Sequence, residues 1–283
     1  KANIVRSTLK NKLDIESNIE SLNINNHYLG DLNFTSTGNT KLNTYVANLN
    51  LLKDSSRNIE LKGLWQGLED PTLNFNLDFN DFDISFLTPL GKKSLNDIRG
   101  KVGGSVTLLG SLSNIKHNGN LNLVNGGFSV PFLNLKYDIE PTNVTLEDKS
   151  FIFKSTNLVD REEGTTALVN GNFSHTNFSN WLASLTINSN RMLLLNTIQK
   201  PESLFFGQGY LDGSVILYGP TKNLKISLKG NTERGTSIKI PWAESYGLSD
   251  TSFVSFINKK SKNDFKNKEK DQILSEIKGL ELD

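Results

Sequence analysis

The chain has no cysteine. That removes disulfides, zinc thiolates and thiol nucleophiles, and it leaves the compartment open, because many bacterial envelope proteins also lack cysteine. An excess of one charge is missing too. Lys and Arg number 31 against 30 Asp and Glu, a formal net charge of +1, so there is no electrostatic case for nucleic acid. No run of about 18 apolar residues exists to cross a bilayer as a helix. The opening stretch KANIVRSTLKNKLDI has no apolar centre of the kind a signal peptide needs. It reads like mid-protein sequence, and the 283 residues are expected to be a piece of a longer chain. Alanine is scarce, whereas Asn, Thr, Ile, Val and Phe are plentiful. Asn disfavours helix interiors and suits turns and polar strand faces, so an all-β chain is expected.

The stretch LNFNLDFN, Leu73 to Asn80, sets the pattern. Leu73, Phe75, Leu77 and Phe79 alternate with Asn and Asp, as in a strand with one dry and one wet face. The same period of two recurs along most of the chain. Asn118-Gly119, Asn125-Gly126-Gly127, Asn170-Gly171 and Gly230-Asn231 read as turns between such strands. At Pro131 the parity slips, and a bulge there would account for both the slip and the proline.

An internal repeat organises these strands. GKVGGSVTLLGSLSNIK, Gly100 to Lys116, aligns with GYLDGSVILYGPTKNLK, Gly209 to Lys225. Gly100/Gly209, Gly104/Gly213, Gly110/Gly219, Asn114/Asn223 and Lys116/Lys225 share one offset of 109. LKGLWQG at Leu61 and VNGNFSH at Val169 share an offset of 108. Repetition on this scale points to stacked modules. The expected organisation is a repeated β-groove region over 1–257, with units around 61–116 and 169–225. A charged mobile loop over 258–272 and the start of a further element over 273–283 follow.

Little in the sequence carries chemistry. His27, His117 and His175 are far apart and form no HxxxH or HExxH motif, so no metal site is expected. His117 and His175 read as solvated residues in turns. Asp78, Asp81 and Asp83 lie on or beside a polar strand face. Asp160, Glu162 and Glu163 sit in LVDREEGTTALV, a hairpin tip ending at Gly164, and read as soluble loop rather than paired glycosidase carboxylates. GQGYLDG, Gly207 to Gly213, has the spacing G-x-G-x-x-x-G and leads into a strand, so the dinucleotide fingerprint is rejected. No nucleophile elbow with a nearby base is present. No catalytic residue, cofactor or metal ligand is assigned.

Several longer stretches look familiar in order and spacing. They are DISFLTPLGKKSLNDIRGKVGGSVTLLGSLSNIKHNGNLNL, VPFLNLKYDI, LVDREEGTTALVNGNFSHTNFSNW, RMLLLNT, FFGQGYLDGSVILYGPTKNL and RGTSIKIP. Together they resemble the TamB family of AsmA-like translocation and assembly module proteins, in its Bacteroidota form. On this resemblance the chain would lie upstream of the family's C-terminal conserved domain, with GLELD as the approach to it. The N-terminal membrane helix of the family would also be missing. The resemblance implies a non-enzymatic protein anchored in the inner membrane, crossing the periplasm and bridging to the outer membrane. There, on the same resemblance, its partner would be a TamA-like barrel of the Omp85 superfamily. It also implies a long curved antiparallel sheet shaped like a taco shell with an apolar concave face, phospholipid transport, and roles in outer-membrane biogenesis and protein secretion.

Geometry alone gives a compatible picture. At one strand per 12 to 14 residues, roughly 20 strands at about 4.8 Å spacing make a sheet on the order of 95 Å long. Each methylene moved from water into such a groove gains roughly 0.8 kcal/mol. By strand parity the lining is expected to be Leu73, Phe75, Leu77, Phe79, Val106, Leu108, Leu121, Leu123, Phe128, Val130, Leu133, Leu135, Tyr137, Val144, Leu146, Phe151, Phe153, Leu185, Ile187, Val215, Leu217, Leu224, Ile226 and Leu228. A second reading, a closed β-sandwich or barrel for binding or adhesion in the envelope, shares the alternation but gives the repeat no role.

Overall fold

The computed structural model describes residues 2–9, 11–91, 94–200 and 203–241; the loop and further element expected over 258–283 lie outside them. The described residues form one antiparallel sheet of sixteen strands. In chain order these are β1 (Ala2–Leu9), β2 (Lys12–Ile24), β3 (His27–Asn39), β4 (Thr44–Lys53), β5 (Ser56–Gln66), β6 (Thr72–Asp83), β7 (Asn96–Ser111) and β8 (Asn114–Val130). There follow β9 (Leu135–Ile139), β10 (Thr142–Glu147), β11 (Ser150–Asp160), β12 (Thr166–Thr176), β13 (Ser179–Thr197), β14 (Phe206–Pro220), β15 (Lys225–Thr232) and β16 (Ser237–Lys239).

Nearly every strand pairs with its neighbour in sequence. β9 and β10 share one rung between β8 and β11, interrupted at Glu140–Pro141, where proline offers no amide to the ladder. β15 and β16 share the rung beyond β14. Among the described residues β1 and β15 are the ends of the order and do not pair with each other. The sheet is therefore open there, and among the described residues no second sheet faces it. Its fourteen rungs span about 62 Å along the curve at ~4.8 Å each. That is shorter than the sequence spacing suggested, because strands such as β8 and β13 run to 17 and 19 residues.

Some punctuation read from the sequence is placed differently. Asn118-Gly119, Asn170-Gly171 and Gly230-Asn231 lie inside β8, β12 and β15. Gly119 sits opposite Val106, and a Cβ there would collide with the Ser105 carbonyl oxygen. The glycine is needed for close strand approach rather than for reversal. Asn125-Gly126-Gly127 also lies within β8, with Asn125 left-handed at φ 53°. The parity shift belongs here, where the β7–β8 register slips. Pro131 instead opens a 3₁₀ turn, Pro131–Leu133, closed by Asn134 in the left-handed region, and this turn joins β8 to β9.

The two copies of the repeat fall in matching places. β7 carries Gly104 and Gly110, and β14 carries Gly213 and Gly219, all at positive φ. A Cβ at Gly104 would strike the Asn120 carbonyl; one at Gly213 would strike the carbonyl of Lys229, 109 residues on from Asn120.

Curvature comes from unequal hairpins. On the first rim of the sheet the β4–β5 hairpin stops short, and its taller neighbours meet over its tip. Asn25, in the β2–β3 turn, donates its Nδ2 to the Phe86 carbonyl in the 3₁₀ turn Ser85–Gly91, 3.0 Å away. On the same rim, the β8–β9 and β13–β14 connections meet over the short β11–β12 hairpin. Asn134 Nδ2 donates to the Asn196 carbonyl at 2.6 Å, and the Tyr137 hydroxyl to the Leu193 carbonyl at 2.8 Å. The rings of Phe132 and Phe205 pack edge to face. In a flat sheet strands three rungs apart are separated by about 14 Å. Contacts of this kind require the sheet to curl.

Candidate functional site: the apolar inner face

Cross-strand partners in an antiparallel sheet share a face, so the ladder register shows which side chains line up. One row runs Leu32, Leu51, Ile59, Phe79, Gly104, Leu121, Val144, Phe153, Gly171, Leu185, Leu217, Ile226. Every member is apolar or glycine, across twelve consecutive rungs. The row beside it carries Leu61, Leu77, Val106, Gly119, Leu146, Phe151 and Phe173. Between these residues on β6, Asn74, Asn76, Asp78 and Asn80 are exposed on the opposite, polar face.

Burial divides the residues read as lining by parity. Leu73, Phe75, Leu77, Phe79, Leu108, Leu121, Phe128, Val130, Phe151, Phe153, Ile187 and Leu217 are half-buried. Val106, Leu123, Leu135, Tyr137, Val144, Leu146, Leu185 and Val215 are buried. Ile226 and Leu228, on β15, are exposed. Leu133 and Leu224 are not strand residues; Leu133 ends the 3₁₀ turn and Leu224 precedes β15.

A single sheet buries residues this deeply only if it wraps over them. The deepest filling lies on the first rim under the β8–β9 and β13–β14 connections, where Leu135, Leu158, Ala167, Met192 and Leu193 pack together. A smaller cluster of Leu29, Leu51 and Phe82, on β3, β4 and β6, lies beside the β4–β5 hairpin tip on the same rim. Between them a third cluster, Val106, Val144 and Leu146, is buried, and half-buried Phe79, Leu121, Phe151 and Phe153 pack against it.

Polar groups interrupt the inner face, Ser36 and Thr156 among them, and for three, Asp160, His117 and His175, the sequence reading missed the role. Asp160 was expected in a soluble loop. It is fully buried, on the inner row opposite Tyr137. Its Oδ2 accepts the Glu163 N–H at 2.7 Å, and its backbone closes the turn with Thr165 and Gly164. Burial and the neighbouring Asp160 raise the pKa of the Tyr137 phenol well above its ordinary value.

His117 and His175 were expected to be solvated, but they are buried and bonded to each other. Phe75 faces Leu108, which faces His117, so His117 lies on the inner face. The two Nε2 atoms are 2.8 Å apart. His175 stacks on Phe178 and lies against Trp181, while Phe151 packs on His117. Burial, then the nearness of His175, pushes the His117 pKa down to about 4; burial, then Lys149, lowers that of His175. Their separation of 58 positions in sequence hid the pair. It could be seen in the sequence only once β8 and β12 were known to flank one hairpin.

On the outer face Arg99 lies across Gly127 to reach the Tyr137 carbonyl and Asp138, and Arg161 bonds both Asp138 oxygens. These guanidiniums, that of Arg161 first, hold the Asp138 carboxyl below the usual range. A Cβ at residue 127 would occupy the path of the Arg99 side chain.

Among the described residues no group of three or more His, Cys, Asp or Glu could hold a metal, and no helix is long and apolar enough to cross a membrane. Residues 155–282 match the family model of the TamB C-terminal domain. That corrects the expectation that this domain lies wholly beyond the chain, since the match starts within β11. No curated protein and no solved structure matches the chain.

Proposed function

We propose, from the match of residues 155–282 to the TamB C-terminal domain, that the chain is a non-enzymatic stretch of an envelope bridge that conducts phospholipid between inner and outer membranes. The observation that carries this reading is the unbroken apolar row from Leu32 to Ile226. An acyl chain lying along it gains roughly 0.8 kcal/mol for each methylene removed from water. The row has no polar member to stop a chain moving from rung to rung, and its half-buried members Phe79, Leu121, Phe153 and Leu217 offer more open surface than buried Leu51, Val144 and Leu185. We read 61–116 and 169–225 as two copies of one groove unit, extended by the matching glycines of β7 and β14.

Support of outer-membrane protein assembly beside a TamA-like barrel of the Omp85 superfamily is the second half of the proposal. It draws on the family and on β15, whose eight residues are exposed; an uncovered strand of this kind can pair with a client strand.

The test uses the half-buried positions rather than the filled ones. A photo-crosslinking residue placed at Phe75, Leu121 or Phe153 in cells is expected to capture phospholipid, identified by mass spectrometry. The outward positions Asn76 and Asn120 are expected to capture none. Capture of protein alone at the inward positions, or equal lipid capture on both faces, overturns the reading.

A further inference from the structure

On the second rim the β10–β11 hairpin stops at Asp148 and Lys149, and its taller neighbours again meet over the tip. Asn177, in the β12–β13 turn, donates Nδ2 to the Leu112 and Ser113 carbonyls and accepts the Ile115 N–H on Oδ1 at 3.1 Å. Below it, His117 on β8 and His175 on β12 flank the hairpin tip, with backbone amides bonded to the Asp148 and Lys149 carbonyls. Their rings close the gap above that tip.

Hydrogen-bond chemistry fixes the protons in this pair. The Phe178 N–H can only donate, and it points at His175 Nδ1 from 3.0 Å. His175 Nδ1 is therefore the acceptor, and the neutral ring carries its proton on Nε2. That proton is donated to His117 Nε2, so neutral His117 keeps its own on Nδ1. Each ring has one protonation state that satisfies this chain. A proton added to His117 Nε2 sets two N–H groups face to face at hydrogen-bond distance, and one added to His175 Nδ1 opposes the Phe178 amide.

We propose that His117 and His175 form an acid-released latch on the second rim: neutral, they hold the β7–β8 turn against the β12–β13 turn, and protonation parts the two turns and opens the groove between them. The proposal rests on this joint and not on what the groove carries. The surroundings give an added proton little help. From the β10–β11 hairpin, Asp148 favours a charged His117, but it is engaged by Lys116 of β8 at 2.8 Å. Lys149 of the same hairpin opposes a charge on His175. From the β12–β13 turn and β13 come Phe178 and Trp181, both uncharged, and the β14–β15 turn adds Lys222 in the hollow beside Trp181. From β7, Leu108 stands opposite His117. The cost of charging the pair is thus met only by separation and hydration of the rings.

Hydrogen exchange of the full chain, read by mass spectrometry at pH 7.5, 5.5 and 4 and corrected for the intrinsic rate at each pH, tests the latch. Protection of the segments 110–118 and 173–182 is expected to fall about tenfold or more from pH 7.5 to 4, while segment 44–66 keeps its protection. The double variant H117Q/H175Q has no ring to protonate, and its exchange on this rim is expected to lose the pH dependence. Unchanged protection in the wild type, loss shared equally with segment 44–66, or a pH effect that persists in the double variant overturns the proposal. If the double variant fails to fold, the wild-type histidine ring resonances decide. Titration of both at the ordinary value near 6.5 overturns the latch; titration well below it, together with the amide of Ile115, supports it.

Discussion

Asn25 and Asn134 do the same work 109 residues apart. Each is left-handed, at φ 53° and 52°, and each reaches over a short hairpin to donate its Nδ2 to a backbone carbonyl on the far side, that of Phe86 and that of Asn196. Asparagine tolerates the left-handed region better than other non-glycine residues and carries the amide that makes the bond. The repeat thus extends to a curvature device. Replacing either residue by Ala is expected to remove the bond and strain the turn, lowering stability by about 1–2 kcal/mol. Asn→Gly, which keeps the backbone at ease, should cost less. Urea denaturation of the four variants checks both statements.

Gly104 and Gly213 predict a second matched pair. Alanine at either must take a positive φ and push away a neighbouring strand carbonyl. A loss of about 1–3 kcal/mol is expected for each. G164A is the control: residue 164 is also left-handed, but a Cβ there meets nothing within 4 Å. Its thermal midpoint should fall least of the three.

The filled corner and the half-open track should respond differently to truncation. Leu193 is fully buried, and L193A is expected to cost about 2–5 kcal/mol through lost transfer energy plus a cavity. Leu77 lies on the partly covered track, so L77A leaves no closed void and should cost distinctly less. Denaturant midpoints of the two variants give the comparison.

The sign of the pH dependence follows from His117. Its ordinary value is 6.5 and its folded value about 4. Above 6.5 neither folded nor unfolded chain binds this proton, and the full contribution to stability is present. As pH falls toward 4 the unfolded chain takes up the proton and the folded chain does not, so stability declines across that window. Asp138 and Asp148, whose carboxyls are held below the ordinary value of 3.8, add their own decline only at lower pH. Urea midpoints at pH 7.5 and 5 should differ in the wild type and differ less in H117Q/H175Q.

The apolar face was legible in the sequence because alternation is a local signal. Leu73 to Phe79 needs no partner to be read, and the register later aligned Phe79 with Leu121 and Phe153. What stayed hidden depends on what lies across the sheet. Asn118-Gly119 carries the strongest local turn signal, yet its glycine answers to a carbonyl on the neighbouring strand. His117 looks ordinary until β12 brings His175 beside it. The split of parity-matched residues into half-buried Leu121 and buried Leu135 reflects unequal hairpin heights, which alternation does not encode.

The order of pairing has a consequence for how the chain acquires its shape. Because nearly every strand bonds to the one made just before it, the ladder can grow by zipping from one end, with small loop-closure cost at each addition. The bonds from Asn25, Asn134 and Asn177 each span 61 to 65 residues and cannot form until several rungs have followed. A nascent segment would then stand as a pliable ribbon first and bend only as each later hairpin arrives, so that curvature is laid down in steps from the leading end.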